Sequence, residues 1–309
     1  MLVEILGTAA GGGFPQWNCT CNNCRSVRLG KFAGKARSHL QVAISPDGII
    51  WYLLNASPDL RSQIEGSFFL HPQGPGRCSP IRGIVLTSAD LDQSLGALLL
   101  REWQPLQIYA TQSIRKILRE DNSMFAMLER TPDQAHWKNF LPGSTFELVA
   151  PDGKRSGIEC TPVTVSTRYP GYVAPHRAKE LVSEEAVVGL FIQSSSGKRL
   201  GYFPAVGHVN ETLLQQFDSV DVLLFDGTFW TDDELIKLQS SGQTALQMGH
   251  IPVSSPGGSL DLLSKLKRPR KMFVHINNTN PMLDESGPEY AEVRAHGWEI
   301  AEDGCHLEL

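Results

Sequence analysis

The sequence predicts a mixed α/β fold, and three observations carry the prediction. Short apolar, β-branched runs alternate with helix-length segments along the whole chain. Acids and histidines recur where those runs end, at Asp90 and Asp92, Asp226, His250 and His275, and the carboxyl ends of strands are where open α/β sheets bind ligands. No internal repeat or low-complexity linker interrupts the alternation. A length of 309 residues suits one large domain or two modest ones.

Composition narrows the function classes. With 41% hydrophobic and 20% charged residues the chain reads as an ordinary soluble globular protein, and no apolar run is long enough to span a membrane. A net charge of −5 argues against nucleic-acid binding, which needs a clustered cationic face. The basic stretch Lys265 to Lys271 joins a helix to a strand and reads as solvated cations near a helix C-terminus. Residues 1–10 carry Glu4, lack a basic flank and break at Gly7, so they read as a first strand and not a signal peptide. The expected location is cytoplasmic, with neither nucleic acid nor membrane as partner.

Taken in order, the first strand runs into Gly7–Gly13, a flexible turn without the Gly-Lys-Ser/Thr ending of a phosphate loop. Trp17-Asn18-Cys19-Thr20-Cys21-Asn22-Asn23-Cys24 then places three of the six cysteines inside six residues. Thiols so dense in a chain read as unsecreted point to metal ligation over disulfides, and Cys19, Cys21 and Cys24 are assigned to a structural zinc that needs a fourth ligand from elsewhere. Cys78, Cys160 and Cys305 are isolated and read as small buried residues. Leu40 to Leu54 patterns as a hairpin about Pro46-Asp47-Gly48, and Asn55 to Leu60 leads into a short helix. Ile84-Val85-Leu86 is a buried strand, Ser88 to Gln93 a polar loop, and Leu95 to Leu100 the start of a helix. Two acids one residue apart at a strand's end repel each other unless a cation lies between them, so this loop reads as a metal site.

Leu106 to Ala110 is a further strand, and Thr111 to Leu128 is helical by spacing with Thr111 or Ser113 as cap. Strands near Ser144–Val149 and Ile158–Val165 follow. Thr167 to Glu185, polar and Pro-rich, with Tyr169, Tyr172 and His176, is expected to be a lid. A second block repeats the logic: strands at 189–192, 200–203 and 220–225 lead to Asp226-Gly227-Thr228-Phe229, then come Met248-Gly249-His250-Ile251-Pro252 and Met272 to Val274, ending at His275-Ile276-Asn277-Asn278-Thr279-Asn280-Pro281.

The combined order of Gly-rich turn, Cys-x-Cys-x-x-Cys, acidic loop, Gly-His-Ile-Pro and Val-His-Ile-Asn-Asn-Thr-Asn-Pro resembles the metallo-β-lactamase superfamily. Within it, the chain resembles over essentially its full length the branch that serves pyrroloquinoline quinone (PQQ) biosynthesis. The resemblance implies a single domain over residues 1–309 and a four-layer αβ/βα sandwich of two mixed sheets with outer helices. The superfamily's loop reads His-x-His-x-Asp-His; here those ligand positions are Ser88, Asp90, Asp92 and Gln93, so only Asp92 matches. A histidine expected near Thr167 and an aspartate expected near Ala205 are also missing, which removes most of a second metal site. By the same resemblance His275 occupies the late ligand position, while Asp226 and His250 line the pocket as catalytic groups. PhnP phosphodiesterases share the Cys-rich insert, and their spacing points to Asn278 as the fourth zinc ligand. An amide is a poor zinc ligand, so a rearranged loop or another histidine is expected there.

Asp90, Asp92 and His275, with Gln93 as a neutral fourth donor, make an oxygen-rich, partly open site that suits iron(II), manganese or magnesium better than tightly held zinc. The resemblance implies iron- and oxygen-dependent hydroxylation of a tyrosine ring in a small Glu-Tyr-derived precursor of PQQ. Two other classes stay open: a metal-dependent hydrolase with His250 as proton donor, and a non-catalytic carrier that transports PQQ or its precursor. A homodimer built on the Cys loop, flanked by Phe14 and Trp17, is also expected from the resemblance.

Overall fold

The computed structural model describes residues 1–239, 242–254 and 256–309. Among them the strands are, in chain order, Leu2–Gly7 (β1), Gln41–Ser45 (β2), Trp51–Leu54 (β3), Ile81–Val85 (β4), Leu106–Ala110 (β5), Ala135–Asn139 (β6), Phe146–Val149 (β7), Arg155–Ser166 (β8), Val187–Gln193 (β9), Arg199–Phe203 (β10), Val222–Asp226 (β11), Arg270–Val274 (β12), Trp298–Ile300 (β13) and Cys305–Glu308 (β14). They form two mixed sheets, so the mixed α/β class expected from the alternation holds. No helix among the described residues is long and apolar enough to cross a membrane. The chain divides into two compact units, one of Met1–Leu6, Gln41–Lys198 and Gly304–Leu309, the other of Gly7–Leu40 and Arg199–Asp303.

The first unit holds a sheet of order β14-β1-β2-β3-β4-β5-β6. β2 and β3 pair antiparallel as the predicted hairpin, and β3 to β6 are parallel. β2, β3 and β5 are buried along their whole length, which is why they read as continuous apolar runs and not as an alternation. Trp51, Leu53, Ile84, Leu86, Ile108, Ile114 and Ile117 form the core of this unit. Gly96 marks a close approach: a Cβ there would lie 2.0 Å from the Ser57 carbonyl oxygen, so no larger residue lets this turn pack on the segment after β3.

The predicted helix from Thr111 to Leu128 is broken. Thr111 does cap its start, accepting from Ile114 N at 3.2 Å, but the α-helix Gln112–Arg115 passes into a π-turn at Lys116–Glu120 and, after a break, a 3₁₀ stretch at Ser123–Glu129. Asp121-Asn122-Ser123 explains the break, since short polar side chains compete for backbone partners; Asn122 Nδ2 donates to Ile117 O at 2.7 Å.

In the second unit β10 to β13 are all parallel, in the order β13-β12-β11-β10. Phe203, Phe217, Phe225, Phe273 and Trp298 fill the space beside it, with Phe273 stacked on Trp298 at 4.1 Å. Because β11 and β12 run the same way and pair Asp226 with Val274, Asp226 and His275 emerge at one edge of the sheet.

Candidate metal centres

The Cys loop closes on itself before it reaches anything else. Cys21 caps the helix Asn22–Arg28, its Sγ accepting from Cys24 N at 3.5 Å; Cys19 Sγ accepts from Cys21 N at 3.4 Å, and Cys24 Sγ accepts from Gln16 N at 3.4 Å. One ligand atom from each of Cys19, Cys21 and Cys24 lies within 4.8 Å of the others. Burial pushes the Cys21 thiol up to about 12, whereas Cys19, where burial is outweighed by hydrogen bonds from the Cys21 backbone and neighbouring side chains, is held below the ordinary thiol value. Three convergent sulfurs of this kind fit zinc. Asn278, discounted above as a ligand, sits against them: its Nδ2 lies 3.2, 3.7 and 3.3 Å from the sulfurs of Cys19, Cys21 and Cys24. Asn23 Nδ2 ties the loop to the same segment by donating to the carbonyls of Asn278 (3.1 Å) and Asn280 (3.0 Å).

A second cluster gathers Asp226, His250 and His275, again with ligand atoms within 4.8 Å of one another. His250 follows the short helix Ala245–Met248, which has a full Thr244/Gln247 capping box and is ended by Gly249 at φ +88°, a left-handed turn that needs glycine. His275 itself sits at φ +56°, a conformation that costs a non-glycine residue on the order of 1 kcal/mol or more. The two imidazole rings stack at 5.5 Å.

Thr228, which sequence reasoning passed over, is the hub of this cluster. Its hydroxyl donates to Asp226 Oδ1 at 2.6 Å and lies 3.1 Å from His250 Nδ1 and 2.8 Å from His275 Nδ1. His250 Nδ1 also lies 2.7 Å from Asp226 Oδ2. A hydroxyl has one proton, so with that proton on Asp226 the hydroxyl oxygen accepts from His275 Nδ1–H, and the carboxylate accepts from His250 Nδ1–H. In that arrangement both imidazoles are Nδ1–H tautomers with Nε2 as the lone-pair nitrogen, while the His275 carbonyl, 2.9 Å from the same hydroxyl, is a competing acceptor for the Thr228 proton. Asp226 is fully buried and its two oxygens also accept from Val206 N (2.8 Å) and Thr228 N (3.0 Å). Burial would raise its pKa, but His250, together with His275 and the Thr228 hydroxyl, holds the carboxyl below its ordinary value. Read from sequence as catalytic, Asp226 is committed by these four hydrogen bonds to holding His250. The one sequence signal for Thr228 was its place two residues past an acid at a strand's end.

The acidic loop belongs to the first unit. Gln93, expected as a neutral ligand, is buried, and its Oε1 already accepts from Asn55 Nδ2 (3.0 Å) and Thr87 Oγ1 (2.9 Å). It therefore braces the loop on Asn55, which stands at φ +65° and also accepts from Thr87 N at 2.8 Å. Asp90 and Asp92 are half-buried, and Asp90 Oδ2 accepts from Ser88 Oγ at 2.9 Å. The structure thus groups His275 with His250 and Asp226, a nitrogen-rich set, where the sequence reading had grouped it with Asp90, Asp92 and Gln93. The segment expected to be a lid bonds to this loop through the Tyr172 hydroxyl, which donates to the Ala89 carbonyl, and separately to the turn after Glu120 through Arg177, which pairs with Asp121 at 2.8 Å.

Comparison with known proteins decides the family. Residues 50–276 match the model of the beta-lactamase superfamily domain. Over the full length of both chains, the sequence is 40% identical to coenzyme PQQ synthesis protein B of Pseudomonas aeruginosa. The chain belongs to the coenzyme PQQ synthesis protein B family. The crystal structure of zinc-bound PqqB from Methylobacterium extorquens superposes with a TM-score of 0.90 at 39% identity and full coverage of both chains. A diphosphatase of the PhnP family superposes at 0.67 with 18% identity, covering 100% of this chain and 97% of its own, and so shares the fold. The expected metallo-β-lactamase fold is thus present in a PqqB-family chain whose loop has Asp90 and Gln93 where the superfamily's histidines would stand.

Proposed function

We propose that this chain is a metal-dependent enzyme of PQQ biosynthesis that hydroxylates the tyrosine-derived ring of a small peptide-derived precursor, with iron(II) as the active metal. One observation carries the enzymatic part: the Thr228–Asp226 network orients both imidazoles, and with the Thr228 proton on Asp226 it leaves His250 and His275 with Nε2 lone pairs to offer, which metal ligation needs and a carrier has no use for. Imidazole nitrogens suit iron and zinc alike, so these residues fit a divalent metal. When bound, a redox-active metal would supply open positions and one-electron steps for dioxygen chemistry, with the two electrons that each hydroxylation consumes coming from an external reductant. The residues supply the rest. His275 Nε2 would hold the metal; the single Nε2 lone pair of His250 would go either to that metal or to a proton, and buried Asp226 at its Nδ1 stabilises the positive charge in both cases. The Cys cluster holds a separate, structural zinc.

The test is anaerobic reconstitution with iron(II), followed by oxygen uptake and product analysis with the bicyclic Glu-Tyr-derived precursor. Wild-type protein is expected to consume oxygen with substrate present, and His275→Ala to lose that activity and the active-site metal while keeping the Cys-site zinc. A His275→Ala protein that supports PQQ formation as well as wild type makes the metal dispensable and leaves the carrier role. Turnover with zinc alone and no oxygen uptake leaves the hydrolase.

A further inference from the structure

We propose that a cleft in the first unit, walled by β5, β6 and β7, is a binding site for a small aromatic carboxylic acid. It encloses about 470 Å³, within the range of roughly 300 to 1,000 Å³ that small-molecule sites occupy, and none of its lining residues belongs to either metal cluster. Strand register sets its floor. β5 and β6 run parallel and pair Gln107 with His136 and Tyr109 with Lys138, so these four residues, two apart along each strand, share one face of the sheet. β7 lies against that face: Tyr109 Oη accepts from Val149 N at 2.8 Å and donates to Val149 O at 3.0 Å, and the Tyr109 ring stacks on Phe146 with centroids 5.2 Å apart. These contacts fix the distance of β7 from the sheet, so the cleft is pre-formed.

Gln107 is the residue that packing alone does not explain. It is only 6% exposed, its Oε1 is buried with no hydrogen-bond partner, and its amide nitrogen bonds to no other described residue. A buried carboxamide without partners destabilises a fold, and a leucine of similar size would avoid that cost. At the wall of a cleft the same group serves a ligand, offering N–H or carbonyl according to how the amide is turned. Lys138, diagonal to it on the same face and within reach of a long side chain, is exposed and has no ion-pair partner among the described residues. Glu147 on β7 is already engaged, pairing with Arg155 and accepting from Gly157 N at 2.9 Å. The cleft thus presents one uncompensated ammonium and one free amide beside the Tyr109 and Phe146 rings and Pro151. A single ammonium matches a carboxylate better than a phosphate dianion, and the rings match a flat apolar body.

Calorimetric titration of the full-length protein with 2-naphthoate tests the site. Wild-type protein is expected to bind one equivalent with Kd below about 1 mM, and to bind the uncharged 2-naphthamide several-fold more weakly. Gln107→Leu is expected to lower naphthoate affinity about tenfold, and Lys138→Gln, at the exposed end, about threefold. His275→Ala is expected to bind the probe as wild type does. The absence of saturable binding to the wild type overturns the proposal, as does equal affinity for 2-naphthamide. So does wild-type affinity in Lys138→Gln or in a folded Gln107→Leu protein; the lysine variant, altered only at the surface, decides the matter if the leucine protein fails to fold. Loss of binding in His275→Ala would put the probe on the histidine cluster and overturns it too. Tighter binding of 2-naphthyl phosphate than of 2-naphthoate overturns the choice of a carboxylate.

Discussion

The two clusters of the second unit are built in opposite ways. The three cysteines come from six consecutive residues, and each sulfur accepts a backbone N–H from within the same loop. The histidine cluster draws Asp226, His250 and His275 from three separate segments, with the Asp226 carboxylate orienting His250 and the Thr228 hydroxyl orienting His275. A locally built site of three thiols spends its binding energy on folding, whereas a site assembled from strand ends around oriented imidazoles suits a metal that keeps coordination positions for something else. The difference separates a structural centre from a reactive one without reference to which metal either holds.

The largest expected effect strikes the structural side. Cys24→Ser removes the buried sulfur of the three, and should cost roughly one zinc per chain and several kcal/mol of stability, given that structural zinc contributes on the order of 10 kcal/mol. Metal analysis and thermal unfolding of the same sample read both. If the protein lacks zinc yet melts with the wild type, the loop is no structural centre and the contrast fails.

A smaller, cleaner effect should fall on the reactive side. Asp226→Asn leaves the shape of the cluster but replaces one acceptor oxygen by a donor, so His250 loses the partner that fixes its tautomer. Metal affinity at the histidines should drop roughly 10- to 100-fold, with zinc at the cysteines unchanged. Equal losses at both sites would mean that the clusters are one cooperative unit.

The smallest effect concerns Glu234, which bonds to the segment that follows His275. Its Oε2 accepts from Trp230 N at 2.6 Å, its Oε1 accepts from the Thr279 hydroxyl, and burial pushes its pKa up to about 7. A carboxyl raised in the folded state binds its proton more tightly there than when unfolded. Its contribution to stability is present below pH about 4.5 and is lost as pH rises through about 7, up to about 3 kcal/mol for this shift. Glu234→Gln should remove that downward slope, visible as a difference in denaturant midpoint between the two proteins across pH 4.5 to 7. A slope identical in both would show that the carboxylate is well solvated in the folded protein.

Much of this was legible from the sequence, because the physics involved is local. Buried strands announce themselves as continuous apolar runs, as at Trp51–Leu54 and Val222–Asp226, and cysteines two and three residues apart must converge whatever surrounds them. The chemistry-bearing residues at strand ends, including Asp226, His250 and His275, were identifiable by type and place. Only the tertiary structure decided their partners. Thr228 is an unremarked hydroxyl in the chain and a hub in space; Gln93 reads as a ligand and is found bonded to Asn55 and Thr87; Asn278 reads as a poor ligand and is found with its amide against all three sulfurs. Hydrogen bonds and coordination depend on distances of a few tenths of an ångström between residues tens or hundreds of positions apart, and sequence patterns, which register neighbours and periodicity, carry no information at that range.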